Sequence, residues 1–203
     1  MNKAFLIALQ KVFKAEGRYS DDKHDPGNWT SGIVGKGEFK GTKFGISAAS
    51  YPNLDIVSLD QRGAMRIYKR DYWDKLRLNL VVESSSPRIS DILFNLAVNC
   101  GPGNAAKFLQ RTINTLVINE NLKKKIPIQR KSSWQQAVLR LTSNKALKVD
   151  GIIGPITINA LSKIPYTTAV IVGIFGEAYN YYAKGKLRYR AGWFNRLGNS
   201  YFI

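Results

Sequence analysis

Phe5, Leu6, Leu9, Val12 and Phe13 recur at three- and four-residue steps, and Lys3, Gln10, Lys11 and Lys14 fall between them. Apolar positions at that spacing lie on one stripe of an α-helix, so the segment predicts an amphipathic first helix. Gly17 stops it, which leaves Glu16 at the end of a helix that enters the core. An Asp- and Gly-rich loop follows. Beyond it the chain reads as mostly helical. Residues 47–50 and 58–61 both have the character of helix starts, the second with Ser58 as its N-cap. Met65, Ile67, Tyr68, Tyr72 and Trp73 form a mixed apolar face, residues 83–87 are a polar break, and Ile89, Ile92, Leu93, Leu96 and Ala97 mark a buried helix ending near Asn99, Cys100 and Gly101. Residues 105–110 open a further helix with Phe108, Leu109 and Ile113 on its stripe. Residues 119–131 are a polar, basic connection, and 134–141 are again helical in pattern. The turn-rich run 148–155 feeds another helix, whose first turn suits Pro155. Residues 171–182 are apolar and aromatic enough for a central helix, with 191–197 packing after it. No internal repeat or low-complexity tract interrupts this series. The expected fold class is mainly α, with a small β-hairpin or loop region after the first helix.

Composition narrows the classes. At 203 residues, 44% hydrophobic and 11% aromatic, the chain can bury a full core as one domain or two small lobes. No run of about 18 apolar residues exists, so no membrane span is expected. Cys100 is the only cysteine, which rules out an internal disulfide, and its apolar setting favours an inert buried thiol. A Cys–His hydrolase would have to pair Cys100 with His24, the only histidine, and neither has the surroundings of an activated pair. A zinc amidase would need more His or Cys ligands than the chain holds. No metal or organic cofactor is implied.

The net charge of +17 is uneven. Residues 1–100 carry 15 Lys and Arg against 11 Asp and Glu, whereas residues 101–203 carry 16 against 3. Lys123, Lys124, Lys125, Arg130, Lys131, Arg140, Lys145, Lys148, Lys184, Lys186, Arg188 and Arg190 make the second half the electrostatic handle. Such a field draws a protein to polyanions. For each single Lys the plain alternative is a solvated surface charge.

Candidate chemistry lies near the N-terminus. Asp25 comes nine positions after Glu16, in Asp25-Pro26-Gly27-Asn28, and Thr42 opens Thr42-Lys43-Phe44-Gly45-Ile46. A carboxyl group beside apolar surface has its charged form disfavoured, so the Glu16 pKa is expected to rise and the group to donate a proton to a leaving glycosidic oxygen. A second carboxylate is needed because an oxocarbenium-like transition state calls for an activated water or a nucleophile. On its own, Glu16 also reads as an ordinary polar helix end, and Asp25 as an Asx turn before Pro26-Gly27. Asp21 and Asp22 are rivals for the second carboxylate. A nucleic-acid binder is suggested by charge alone, and carboxylates at the entrance argue against it.

Taken together these segments resemble the glycoside hydrolase 108 family of peptidoglycan N-acetylmuramidases, often found as phage endolysins, with the peptidoglycan-binding-like segment that commonly follows. The likeness rests on Glu16-Gly17 with Tyr19, on Asp25-Pro26-Gly27, and on Thr42 with Gly45-Ile46. It continues through residues 51–55, Ile67-Tyr68 with Tyr72-Trp73, residues 91–101 and residues 150–155. Arg18 and Asn28 stand where the family usually has glycine. An insert over residues 29–40, read as a longer hairpin tip at the mouth of the cleft, separates Asp25 from Thr42 and leaves Thr30 and Ser31 as nearer alternatives.

The resemblance implies a lysozyme-like helical fold, a catalytic segment over 1–100, and a basic, helical, peptidoglycan-binding-like segment over 101–203, either as separate segments or packed into one continuous domain. It implies hydrolysis of the β-1,4 bond between N-acetylmuramic acid and N-acetylglucosamine. Glu16 is then the general acid, Asp25 the second carboxylate, as in the phage-type lysozymes, and Thr42 positions water or substrate. Tyr19, Asn95 and Asn99 line the sugar groove. The alternatives are a lytic transglycosylase and a non-catalytic module that binds glycan through Trp29, Trp73, Tyr19 and the basic half. The partner expected is bacterial peptidoglycan, with anionic envelope material such as lipopolysaccharide drawn to the basic half, and the protein acts as a monomer without nucleic acid. Residues 4–9 are too short for a signal-peptide core, so synthesis in the host cytoplasm and action on the wall after release are expected.

Overall fold

The first helix, α1 (Lys3–Glu16), ends where its apolar stripe does and buries Phe5, Ala8, Leu9 and Val12. In the computed structural model the described residues are 2–16, 19–118, 132–141 and 146–185, with Gly192, Asn195 and Gly198 beyond them; the side chains of Ala15, Glu16 and Ile118 lie outside the described set. After α1 come three two-residue strands, β1 (Tyr19–Ser20), β2 (Thr42–Lys43) and β3 (Ile46–Ser47), in one antiparallel sheet in that order. A short 3-10 turn, Pro26–Asn28, lies between β1 and β2. Helix α2 (Gln61–Tyr68) runs into a π-helical turn, Lys69–Asp74, and then come α3 (Leu78–Ser84), α4 (Pro87–Cys100), α5 (Pro102–Ile118), α6 (Ser133–Leu141), α7 (Pro155–Ser162) and α8 (Thr167–Ala183). The fold is mainly α with a small sheet after the first helix, as the pattern predicts.

Two compact units divide after Asp71: Met1–Asp71 and Tyr72–Ile203. In the first, Ile46, Ala48, Ile56, Ala64 and Tyr68 join the buried face of α1. In the second, α5 packs against α4 and α8, and α3 packs against α4 and α7. Trp73 and Phe94 meet edge to face with ring centres 5.6 Å apart, both fully buried. No described helix is long and apolar enough to cross a membrane.

One expected helix start and one expected cap are corrected, while the helix entry expected over 58–61 is present as the start of α2 at Gln61. Residues 47–50 form no helix: Ser47 closes β3, and its hydroxyl accepts the Ser50 N–H at 3.2 Å in a turn. Ser58 is not the cap, because α2 begins only at Gln61 and Asp60 caps it, accepting the Gly63 N–H at 2.6 Å, while the Ser58 N–H is held by Asp55 Oδ1 at 3.1 Å. The polar break behaves as expected, with Ser86 capping α4 through the Arg88 N–H and Pro87 in its first turn. The connection 119–131 and most of the tail 191–197 lie outside the described residues.

Candidate functional site

The Thr42 hairpin is tied to the helix that carries Glu16. Phe44 and Gly45 join β2 to β3 with φ of 53° and 76°. A two-residue turn with both central residues left-handed matches the twist of its strands. The Phe44 carbonyl accepts the Tyr68 hydroxyl at 2.9 Å. Phe13, three residues before Glu16, sets its ring 5.8 Å from Phe44 and 5.9 Å from Tyr68. The end of α1 and the hairpin are thereby fixed through one aromatic cluster inside the first unit. The Glu16 side chain, and with it the expected rise in its pKa, lies outside the described residues.

Asp25 is exposed, and its Oδ1 accepts the Gly27 N–H at 2.8 Å as the cap of the Pro26–Asn28 turn. The Asx turn read from the sequence is therefore present, and it fixes the carboxylate on the loop without burying it. Of its rivals, Asp22 spends Oδ1 on the His24 N–H at 2.9 Å. Thr42 is half-buried, and its hydroxyl donates to Asn28 Oδ1 at 2.6 Å. Asn28, a residue that sequence reasoning noted only as a departure, is fully buried between them.

The insert is a closed hairpin tip. Trp29 bridges Phe39, with ring centres 5.2 Å apart, and the Thr30 N–H donates to the Glu38 carbonyl at 2.9 Å. Thr30 Oγ1 accepts the Glu38 N–H at 2.9 Å, and the Ser31 hydroxyl donates to the Lys36 carbonyl at 2.8 Å. Both hydroxyls that rival Thr42 are thus occupied in holding the tip. Tyr19 pairs with Lys43 while Ser20 pairs with Thr42, and Thr42 in turn pairs with Ser47. Side chains alternate across a strand, so Tyr19 and Thr42 belong to opposite faces of the sheet. The Tyr19 ring covers Gly41, whose φ of +78° and lack of Cβ permit that approach.

Asn95 and Asn99 lie one turn apart on α4, in the second unit. Asn99 Nδ2 donates to the Asn95 carbonyl at 3.0 Å and to its Oδ1 at 2.9 Å. Next to them Cys100 donates to the Leu96 carbonyl at 2.9 Å. Burial pushes its thiol up to about 12, against a smaller opposing effect of a hydrogen bond with Tyr182. Trp73, one of the faces offered to sugar in the binding-module alternative, is only 1% exposed and donates to Asn79 Oδ1 at 2.8 Å. Among the described residues no three His, Cys, Asp or Glu side chains gather as a metal site would require.

The loop 150–155 is docked on α5 by a buried amide that sequence reasoning missed. Gln110 donates to Asp150 Oδ1 at 2.8 Å and to the Ile152 carbonyl at 3.0 Å, and accepts the Gly151 N–H at 3.0 Å. That bond from Gln110, helped by the Ile152 N–H, holds the Asp150 carboxyl below the usual carboxylate range. One turn on, Asn114 clamps both the N–H and the carbonyl of Leu147.

Residues 9–101 match the sequence model described as glycosyl hydrolase 108. This segment belongs to the glycosyl hydrolase 108 family. It is a glycoside hydrolase segment, and it runs from α1 to the residue after α4, so Glu16, Tyr19, Asp25, Thr42, Asn95 and Asn99 all fall inside it. Among solved structures, the chain is similar to that titled Structure of Brucella abortus SagA, at 21% identity and a TM-score of 0.64, covering 97% of this chain and 90% of that one. At that identity the likeness is one of fold. No curated protein matches the chain.

Proposed function

We propose that the protein cleaves bacterial peptidoglycan at the β-1,4 bond between N-acetylmuramic acid and N-acetylglucosamine, as an N-acetylmuramidase. Glu16 is the general acid, Asp25 the second carboxylate, and Thr42 the hydroxyl that positions water or substrate. One observation carries the reading. Within a glycosyl hydrolase 108 segment, Phe13 on the last turns of α1 packs against the turn that follows Thr42. The helix end of Glu16, the Asp25 loop and the Thr42 hairpin thus belong to one compact unit.

The chemistry asks for an acid that protonates the leaving oxygen while a second carboxylate acts on the sugar ring or on water. Asp25 is solvent-exposed and turn-held, so its carboxylate is presented on the loop with one oxygen fixed by the Gly27 N–H. The basic segment over residues 101–203 is proposed to hold the enzyme on the wall.

Glu16→Gln keeps the shape of the side chain and removes the donatable proton. The variant is expected to lose murein cleavage, read as turbidity of isolated cell walls, while keeping its melting temperature. Residual activity within about tenfold of the parent, or ~1.4 kcal/mol of transition-state stabilisation, is too little for an essential acid and would refute the assignment. Mass spectrometry of the released muropeptides checks the reaction itself. Reducing ends mark hydrolysis, whereas anhydro ends, lighter by one water, mark a transglycosylase.

A further inference from the structure

The insert over residues 29–40 removes Thr42 far along the chain from the Asp25 loop, and one side chain ties the two back together. Asn28 is fully buried. Its Nδ2 donates to the Asp22 carbonyl at 2.9 Å, and its Oδ1 accepts the hydroxyl of Thr42, fourteen residues on, at 2.6 Å. Its own carbonyl accepts the N–H groups of Lys40 and Gly41 at 3.0 and 3.1 Å, and its N–H donates to the Asp25 carbonyl at 3.1 Å. The orientation of the amide follows from its partners. A backbone carbonyl can only accept, so the nitrogen must face Asp22 and the oxygen must face Thr42.

A threonine hydroxyl has one proton and two lone pairs. Here the proton is committed to Asn28, and the half-buried oxygen retains only acceptor capacity. We infer that Asn28 is a positioning residue: it locks Thr42 as an acceptor-only hydroxyl, which receives an O–H from the reacting water or a sugar hydroxyl and sets its direction. Thr42 cannot then donate to the substrate, and its rotamer is fixed before substrate arrives. The inference rests on the role of Thr42 given under the proposed function.

A double-mutant cycle on turnover of a soluble murein oligosaccharide tests it, with thermal melts of each variant alongside. Thr42→Val is expected to lower kcat by about tenfold or more, and Thr42→Ser to recover most of the loss. Asn28→Ala is expected to lower kcat by a similar factor with KM within about twofold, and to change kcat by less than about twofold when Thr42 is already Val. If Asn28→Ala does not fold, Asn28→Gly takes its place in the cycle. An equal loss in both backgrounds would show that Asn28 acts only on the fold, and an Asn28 variant at the parent rate would equally overturn the inference. Thr42→Val at the parent rate would remove the role of Thr42 and this inference with it, while a dead Glu16→Gln would leave the glycosidase reading standing.

Discussion

Cys100 shows how a single environment decides between chemistries. Its thiol donates a hydrogen bond to the Leu96 carbonyl, and burial raises its pKa to about 12. At neutral pH the thiolate is then rarer than the thiol by about five orders of magnitude, the reverse of an activated nucleophile. Cys100→Ala is expected to leave murein cleavage within about twofold of the parent, as measured by turbidity loss, and a folded but inactive variant would restore the Cys–His reading. What the sequence shows at this scale depends on how local the partner is. The Asx turn of Asp25 was legible because its acceptor and donor are two residues apart. The bond from Thr42 to Asn28 spans fourteen residues, and that from Gln110 to Asp150 spans forty. Neither has a local signal, since each exists only after hairpin or helix packing has brought the segments together. Asn28 and Gln110 were therefore invisible as positioning groups, although their amide chemistry was plain.

Elements long enough to repeat their period were legible, and short ones were not. The stripes of α1, α4 and α5 each cover more than three turns and coincide with buried residues. β1, β2 and β3 have two residues each, too few to show an alternation, and the helix start expected at Ser47 does not form. Packing between α5 and α8 was equally out of reach, yet it distinguishes two glycines of α8 that look alike in sequence. A Cβ on Gly173 would collide with the Thr112 side chain, whereas a Cβ on Gly176 would meet nothing within 4 Å. Gly173→Ala should force the helices apart and destabilise the protein by about 1–3 kcal/mol. Gly176→Ala, at an exposed helical site, should stabilise it by up to ~1 kcal/mol through helix propensity. Urea denaturation of the two variants checks both signs, and equal shifts in the same direction would contradict the close approach at Gly173.

At the scale of the whole molecule the decisive quantity is the distribution of charge. Divided at the structural boundary, residues 1–71 carry 12 Lys and Arg against 8 Asp and Glu, and residues 72–203 carry 19 against 6. The excess of +13 is thus carried by the second compact unit, and it equals that of residues 101–203 alone. Lys123, Lys124 and Lys125, the densest run, lie outside the described residues. Long-range attraction to an anionic wall is screened over about 8 Å at physiological ionic strength, whereas proton transfer from an acid such as that proposed at Glu16 acts at contact distance. Raising salt should therefore weaken sedimentation with cell walls steeply and change turnover of a soluble oligosaccharide far less. Replacing the three lysines with glutamate alters the charge by six units, and it should weaken wall binding at low salt while leaving soluble turnover within about twofold. At high salt the parent and the triple variant should converge, because the field that separates them has been screened. Wall binding that is unchanged by salt in both proteins would assign retention to shape, with the loop held by Gln110 as the place to look, and would make the charge a bystander.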